Sequence, residues 1–191
     1  HVINRATFHS PNDASVTYAD TGKGYIIDRA RMQHDLASLC VERGMDCAVD
    51  TSVLSVGPSA DGARVVSLGG GHSVRARVVI DASGASSPLG KREGITWKAY
   101  DAEPAYFVIA DNVEHAQDTV HIHVGQKLAP GGYAWLFPNA DGLVSIGVLV
   151  GNDYRGKVNI RQRLSAFIKD RFPEADIKSS HAGTIACGYR R

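Results

Sequence analysis

A chain of 191 residues is long enough for one good-sized core, or a core with a lobe, and would bury about 70% of its unfolded surface. With 43% hydrophobic residues, 21% charged residues and a formal net charge of +1, it lacks the basic stripe of a dedicated nucleic-acid binder. No apolar run approaches the about 20 residues that cross a bilayer, no secretory signal is present, and Cys40, Cys47 and Cys187 are odd in number and lack metal-ligand spacing, which points to a reducing compartment without a disulfide framework.

Taken in order, Val2 to His9 and Ser15 to Ala19 are extended segments joined by Ser10-Pro11-Asn12-Asp13, the composition of a turn, and predict a β-hairpin. Thr21-Gly22-Lys23-Gly24 breaks the pattern, and Tyr25-Ile26-Ile27 leads into Asp28. From there Met32, Leu36, Leu39 and Cys40 fall at helical spacing, so residues 29–43 are expected to form an amphipathic helix capped by Asp28 and ended by Gly44. Arg29 then sits in its first turn; from residue types alone it is as readily a solvated surface arginine as a ligand contact.

Three valine-rich strands are expected next, over Ala48 to Val56, Ala63 to Leu68 and Ser73 to Ile80. Gly69-Gly70-Gly71 lies between two of them with no helix following, which makes it a hairpin turn rather than a phosphate loop. Val78-Val79-Ile80 is an apolar run without alternation, the pattern of a strand covered on both faces. It stops at Asp81-Ala82-Ser83-Gly84-Ala85-Ser86-Ser87, small residues that let backbone approach a ligand closely.

Beyond Gly94, Ala105 to Ala110, Thr119 to Val124, Tyr133 to Phe137 and Leu143 to Val150 have the spacing of an antiparallel sheet. His121 and His123 share a face, yet no third ligand lies nearby in sequence and no metal site is expected. Tyr133, Trp135 and Phe137 alternate and so form an aromatic row, closed by Pro138 and followed by the turn residues Asn139-Ala140-Asp141-Gly142. On residue types alone such a row is ordinary core. Ile160, Leu164, Phe167, Ile168 and Phe172 make residues 159–172 a second amphipathic helix, ended by Pro173, and His181 to Cys187 is a final short strand whose Cys187 is read as a small buried side chain.

Tyr-x-Trp-x-Phe-Pro, then eight residues, then Gly147, resembles the signature of the geranylgeranyl reductase family of FAD-dependent oxidoreductases, which have the flavin monooxygenase-like fold and are related to FixC. The family pattern ends Gly-x-Gly, where this chain has Gly147-Val148-Leu149. The resemblance implies that Tyr133, Trp135, Phe137, Pro138 and Gly147 line a substrate site for a long isoprenoid chain. Asp28-Arg29-Ala30-Arg31-Met32 is similar to the segment of that fold whose arginine touches FAD, which implies a cofactor contact for Arg29; a guanidinium fork suits phosphate oxygens. Asp81, Gly84 and Ser87 match a strand end that lies near the flavin, although Ser83 stands where many relatives have aspartate, and the resemblance gives Asp81 and Gly84 as cofactor-binding.

No Gly-x-Gly-x-x-Gly stands between a strand and a helix, and no Gly-Asp pair follows the sheet. The family places the first motif before, and the second after, the region that runs from about Tyr25 to Gly183 here. With an opening on His1 and a stop at Arg190-Arg191, the chain is expected to be the central piece of a longer protein.

The fold class expected is α+β: an antiparallel substrate-binding sheet with two covering helices, built from residues 1–20 and 96–191, plus part of an FAD-binding α/β domain with β-hairpins over 21–95. The resemblance implies an enzyme that, with FAD in the full-length protein, reduces carbon–carbon double bonds of an isoprenoid or other hydrophobic small molecule. No residue is identified as catalytic. The implied partners are a prenyl-lipid substrate and an electron donor such as NAD(P)H or ferredoxin, in the cytoplasm with room for peripheral membrane contact, and no nucleic acid. Two other readings stand beside it: a FixC-like electron-transfer flavoprotein dehydrogenase or flavin-dependent aromatic hydroxylase, and a non-catalytic lipid-binding module.

Overall fold

The structure, a computed structural model, describes residues 2–58, 61–84, 87–94 and 100–189. His1, Ala85 and Ser86 of the small-residue motif, and the terminal Arg190-Arg191 lie outside them. The chain divides into two compact units, residues 1–33 with 101–191, and residues 34–100. The fold is mixed α and β, with sheets that are mostly antiparallel.

The first unit is built on a seven-stranded sheet. Its strands are β1 (Val2–His9), β2 (Ser15–Tyr25), β6 (Tyr100–Asp111), β7 (Thr119–His123), β8 (Tyr133–Pro138), β9 (Val144–Leu149) and β10 (Asp176–Tyr189), in the order β10-β6-β9-β8-β7-β1-β2. The hairpin expected at residues 2–19 is present, and β2 runs on through the Thr21–Gly24 segment to Tyr25, helped by an irregularity in register between Ile3 and Arg5. Every neighbouring pair described is antiparallel except β1 with β7, which run parallel with Thr7 opposite His121 and His9 opposite His123.

Because strand side chains alternate, the two faces of this sheet differ in kind. Val108, Ala110, Ala134, Leu136, Val144, Ile146 and Val148 point to one face, where helix α3 (Ile160–Arg171) buries Leu164 and Ile168 against them. Each valine, leucine or isoleucine among them removed from water contributes roughly 2 kcal/mol. The Asn159 side chain caps α3 by accepting the Gln162 N–H at 3.0 Å, and Lys169 and Arg171 in its last turn suit the negative end of the helix dipole. The other face carries Ala105, Phe107, Ile122, Tyr133, Trp135, Phe137 and Leu149.

The β8–β9 hairpin closes where expected: the Asn139 N–H reaches the Leu143 carbonyl at 2.7 Å, while Asp141 and Gly142 take the left-handed conformation at φ 58° and 78°. Aspartate tolerates that region better than most residues, and glycine has no Cβ to hinder it.

The second unit contains a three-stranded antiparallel sheet, β3 (Val53–Pro58), β4 (Arg64–Leu68) and β5 (Ser73–Ala76), with Gly70 and Gly71 at positive φ in the turn between β4 and β5. Two expectations are corrected here. Ala48 to Ser52 is irregular, and Val78-Val79-Ile80 is not a strand: no described strand pairs with it, and Val78 and Ile80 are 75% and 86% exposed. Helix α1 (Arg29–Glu42) forms with Asp28 accepting the Arg31 N–H at 3.0 Å, but Met32, Leu36 and Leu39 are exposed, so the stripe expected to cover a sheet buries nothing among the described residues. A short helix, α2 (Pro88–Arg92), has no periodic stripe to announce it and rests on its cap, Ser87, and on Pro88 at its first position.

Candidate functional site

The aromatic row lies along one face of β8. Tyr133 and Trp135 have ring centroids 6.1 Å apart, Trp135 and Phe137 6.0 Å, and Phe107 reaches Trp135 from β6 at 6.2 Å. Tyr133 is 36% exposed, whereas Trp135 is 8% exposed. The indole is fixed by its N–H, which donates to Ser145 Oγ at 3.1 Å, and by the strand beneath it. Trp135 stands opposite Gly147 in the β8–β9 register, and a Cβ at Gly147 would strike the indole ring and come within 2.6 Å of Phe107 Cβ. Gly147 is therefore the notch into which the indole sinks, which gives the spacing between Trp135 and the glycine a geometric cause.

The neighbourhood of Tyr133 is closed by Leu149, opposite it on β9 and 2% exposed, and by Ala105 beyond on β6. Burial, with Cys187 and Glu103 nearby, raises the Tyr133 phenol above its ordinary value. Pro138, fully buried, ends β8, and its missing N–H is tolerated at the strand's last position. Phe107 also stacks on His181 of β10 at 4.9 Å. The result is a largely apolar wall anchored by Trp135, with Tyr133 and His181 as its titratable members among the described residues. Cys187 is half-buried at its edge.

Arg29 and the Asp81–Gly84 turn belong to different units. Arg29 is exposed in the first turn of α1, where a guanidinium offers paired donors to a phosphate. Gly84 has φ 88° and open space around the position of a Cβ, so backbone there is free to meet a ligand. The Asp81 carboxylate accepts the Ser83 hydroxyl at 2.6 Å, the Ser83 N–H at 3.0 Å and the Ser87 hydroxyl, and these bonds, Ser83 first, hold its pKa at about 2. Ser87 in turn accepts the Gly90 N–H at 3.0 Å. Asp81 thus shapes the turn and ties it to α2, and a cavity of about 450 Å³ opens beside it, lined by Val53, Leu54, Val79, Ile80 and Arg92 among others.

A second constellation lies on the α3 face of the large sheet. His9 Nε2 and His121 Nδ1 are 3.0 Å apart, and the His9 and His123 rings stack at 4.2 Å. With Glu114, His115 and Arg171 they border a cavity of about 290 Å³. Among the described residues no group of three His, Cys, Asp or Glu side chains is arranged to hold a metal ion. The shared face of His121 and His123 follows from alternation, but His9 joins them through the parallel pairing of β1 with β7, which no local pattern reveals.

Comparison with known proteins gives a consistent picture. Residues 101–185 match the family model of the geranylgeranyl reductase catalytic domain, and residues 3–137 match that of lycopene cyclase protein. The chain is 28% identical over 192 residues to digeranylgeranylglycerophospholipid reductase 1 of Methanococcoides burtonii, covering 96% of this chain and 47% of that protein. It is 30% identical over 186 residues to the digeranylgeranylglycerophospholipid reductase of Methanosarcina acetivorans, covering 92% and 46%. The chain thus spans about half the length of the curated relatives it matches. Among solved structures, a geranylgeranyl bacteriochlorophyll reductase-like protein from Thermoplasma acidophilum superposes with a TM-score of 0.82 at 21% identity, over 97% of this chain and 50% of that one. The halogenase PltM, solved with phloroglucinol and FAD, superposes at 0.74 and 17% identity over 95% and 43%. At such identities the two structures speak for the fold alone.

Proposed function

We propose that this chain, which matches the geranylgeranyl reductase catalytic-domain model over residues 101–185 and is similar to digeranylgeranylglycerophospholipid reductases, is the central, substrate-binding part of an FAD-dependent oxidoreductase that reduces carbon–carbon double bonds of an isoprenoid or other hydrophobic substrate. The observation that carries this reading is the wall of Tyr133, Trp135, Phe137 and Phe107, an apolar surface held in place by the Gly147 notch and the Ser145 hydrogen bond. Such a wall binds a hydrocarbon by area and excludes water from it. When bound, FAD would supply the hydride chemistry. Arg29 would hold a cofactor phosphate, the Gly84 turn would allow close approach of backbone, and Asp81 would keep that turn in shape through Ser83 and Ser87. No residue is assigned as a proton donor.

NAD(P)H or a ferredoxin as electron donor, a cytoplasmic location and a peripheral contact with a membrane surface belong to the same proposal. A substrate that is itself a membrane lipid favours the peripheral contact; among the described residues no helix is long and apolar enough to cross a membrane. The test is turnover by the full-length protein, its flavin reduced anaerobically and then offered a prenyl lipid, a quinone, or a phenol together with oxygen. Hydrogenation of the prenyl lipid is the expected outcome. Turnover only with an electron-transfer partner and quinone, or hydroxylation of the phenol, would replace this reading with one of the other flavoenzyme activities.

A further inference from the structure

The register of the large sheet lines up one residue from each of six strands. Phe107 on β6 pairs with Gly147 on β9, Gly147 with Trp135 on β8, Trp135 with Ile122 on β7, Ile122 with Phe8 on β1, and Phe8 with Val16 on β2. Cross-strand partners point to the same face, so these side chains form a single apolar row at right angles to the strands. Five strand-to-strand steps make it about 24 Å long. A parallel row supports it on one side, where Ala6 pairs with both Tyr18 and Val120, and the Tyr18 ring meets Phe8 edge-on at 5.9 Å.

Burial is graded along the row. Trp135 is 8% exposed, whereas Phe8 is 41% and Val16 50% exposed. The notched, well-packed end is the one already assigned to substrate, and the open end continues without a charged side chain to the edge strand. An apolar strip of this kind on one side of an edge hairpin calls for an occupant, and its shape selects one. It is long and narrow, and it crosses the pleat. A bilayer's hydrocarbon core of about 30 Å holds two tails end to end, so a strip of about 24 Å fits a single extended chain rather longer than an ordinary lipid tail.

Resting on the function proposed above, we propose that the hydrocarbon chain of the substrate lies across the strands along Phe107, Gly147, Trp135, Ile122, Phe8 and Val16, with the β1–β2 hairpin as the subsite for the part of the chain farthest from Trp135. Chain-length preference then resides in Phe8 and Val16, some distance from the aromatic signature.

The experiment uses the full-length protein with its cofactor, prenyl substrates of two, three and four isoprene units, and the variants Phe8→Ser and Val16→Ser, whose exposed positions leave the urea midpoint near that of the parent. The expected result is a KM about ten-fold higher for the four-unit substrate and within two-fold of the parent for the two-unit one, with the rate of cofactor reduction unchanged. In parallel, a four-unit chain carrying a terminal diazirine should label the peptide containing residues 2–18. If the protein reduces prenyl substrates but the variants treat all lengths alike and the label falls elsewhere, the strip is overturned while the reductase reading stands. If it reduces none of them yet the diazirine labels residues 2–18, the strip stands and the reductase reading falls.

Discussion

At the scale of single residues, the aromatic signature is as much a packing device as a binding one. Gly147 exists because Trp135 needs its volume, so Gly147→Ala should force the indole or Phe107 off its rotamer and cost on the order of 1–3 kcal/mol. Urea denaturation of the full-length protein measures that cost, and combining the change with Trp135→Ala should recover much of it, since the two residues share one space. Asp81 and Ser87 pose a similar question in the second unit. Ser87→Ala removes both a hydroxyl from the Asp81 carboxylate and the cap of α2, and should cost about 1 kcal/mol. The alternation of Tyr133, Trp135 and Phe137 was legible in the sequence because period two is local. The reason for Gly147 was not, because it depends on which residue of β8 the register sets above it.

At the scale of elements, the sequence is most informative where an element carries its own punctuation. The Asn139–Gly142 turn, the Asp28 cap and the stripe of α3 all act within a few residues, and the elements they bound are where expected. The Val78–Ile80 run misled because an apolar run becomes a strand only beside a partner, and none is described here. The histidine cluster was hidden for the same kind of reason, since β1 and β7 are more than a hundred residues apart in sequence.

That cluster makes the joint between β1, β7 and α3 sensitive to acid. His123 is held down to about 4, first by burial and then by His9, His121 and Arg171; His121 is lowered by burial, then by His9, His115 and Arg5; and His9 is lowered by burial and Arg171 against the opposing Asp13. The unfolded His123 ring takes its proton near 6.5 and the folded ring only near 4. Stability from this ring is therefore complete above about 6.5, falls as pH drops between those values, and is fully lost below about 4. After allowance for solvent around a half-buried ring the loss is about 1–2 kcal/mol. The urea midpoint of the full-length protein should fall between pH 7 and pH 4.5, and His123→Leu should flatten that slope; an unchanged slope would remove His123 from the account.

At the scale of the whole molecule, the second unit explains what the first does not need. Val49, Val78 and Ile80 are more than three-quarters or nearly so exposed, at 79%, 75% and 86%, and α1 buries none of its residues. The chain spans about half the length of the curated relatives it matches, and under the function proposed above these exposed apolar surfaces are where a longer protein would pack. Residues 1–191 alone should therefore bind a hydrophobic dye and little FAD, whereas the full-length protein should bind FAD tightly and the dye weakly; fluorescence titration reads both. The aromatic row of β8 and the small-residue turn after Asp81 were legible from local pattern, while the line of apolar residues across the sheet needed the pairing of six strands.

The most direct test of the central claim is anaerobic single turnover. The full-length protein, with its flavin reduced, is mixed with a four-unit prenyl lipid while flavin absorbance is followed and the lipid is weighed by mass spectrometry. Reoxidation of the flavin matched by a gain of two hydrogens per double bond, both lost in Trp135→Ala without loss of bound FAD, is the predicted result; a flavin that stays reduced in the presence of saturating lipid would contradict it.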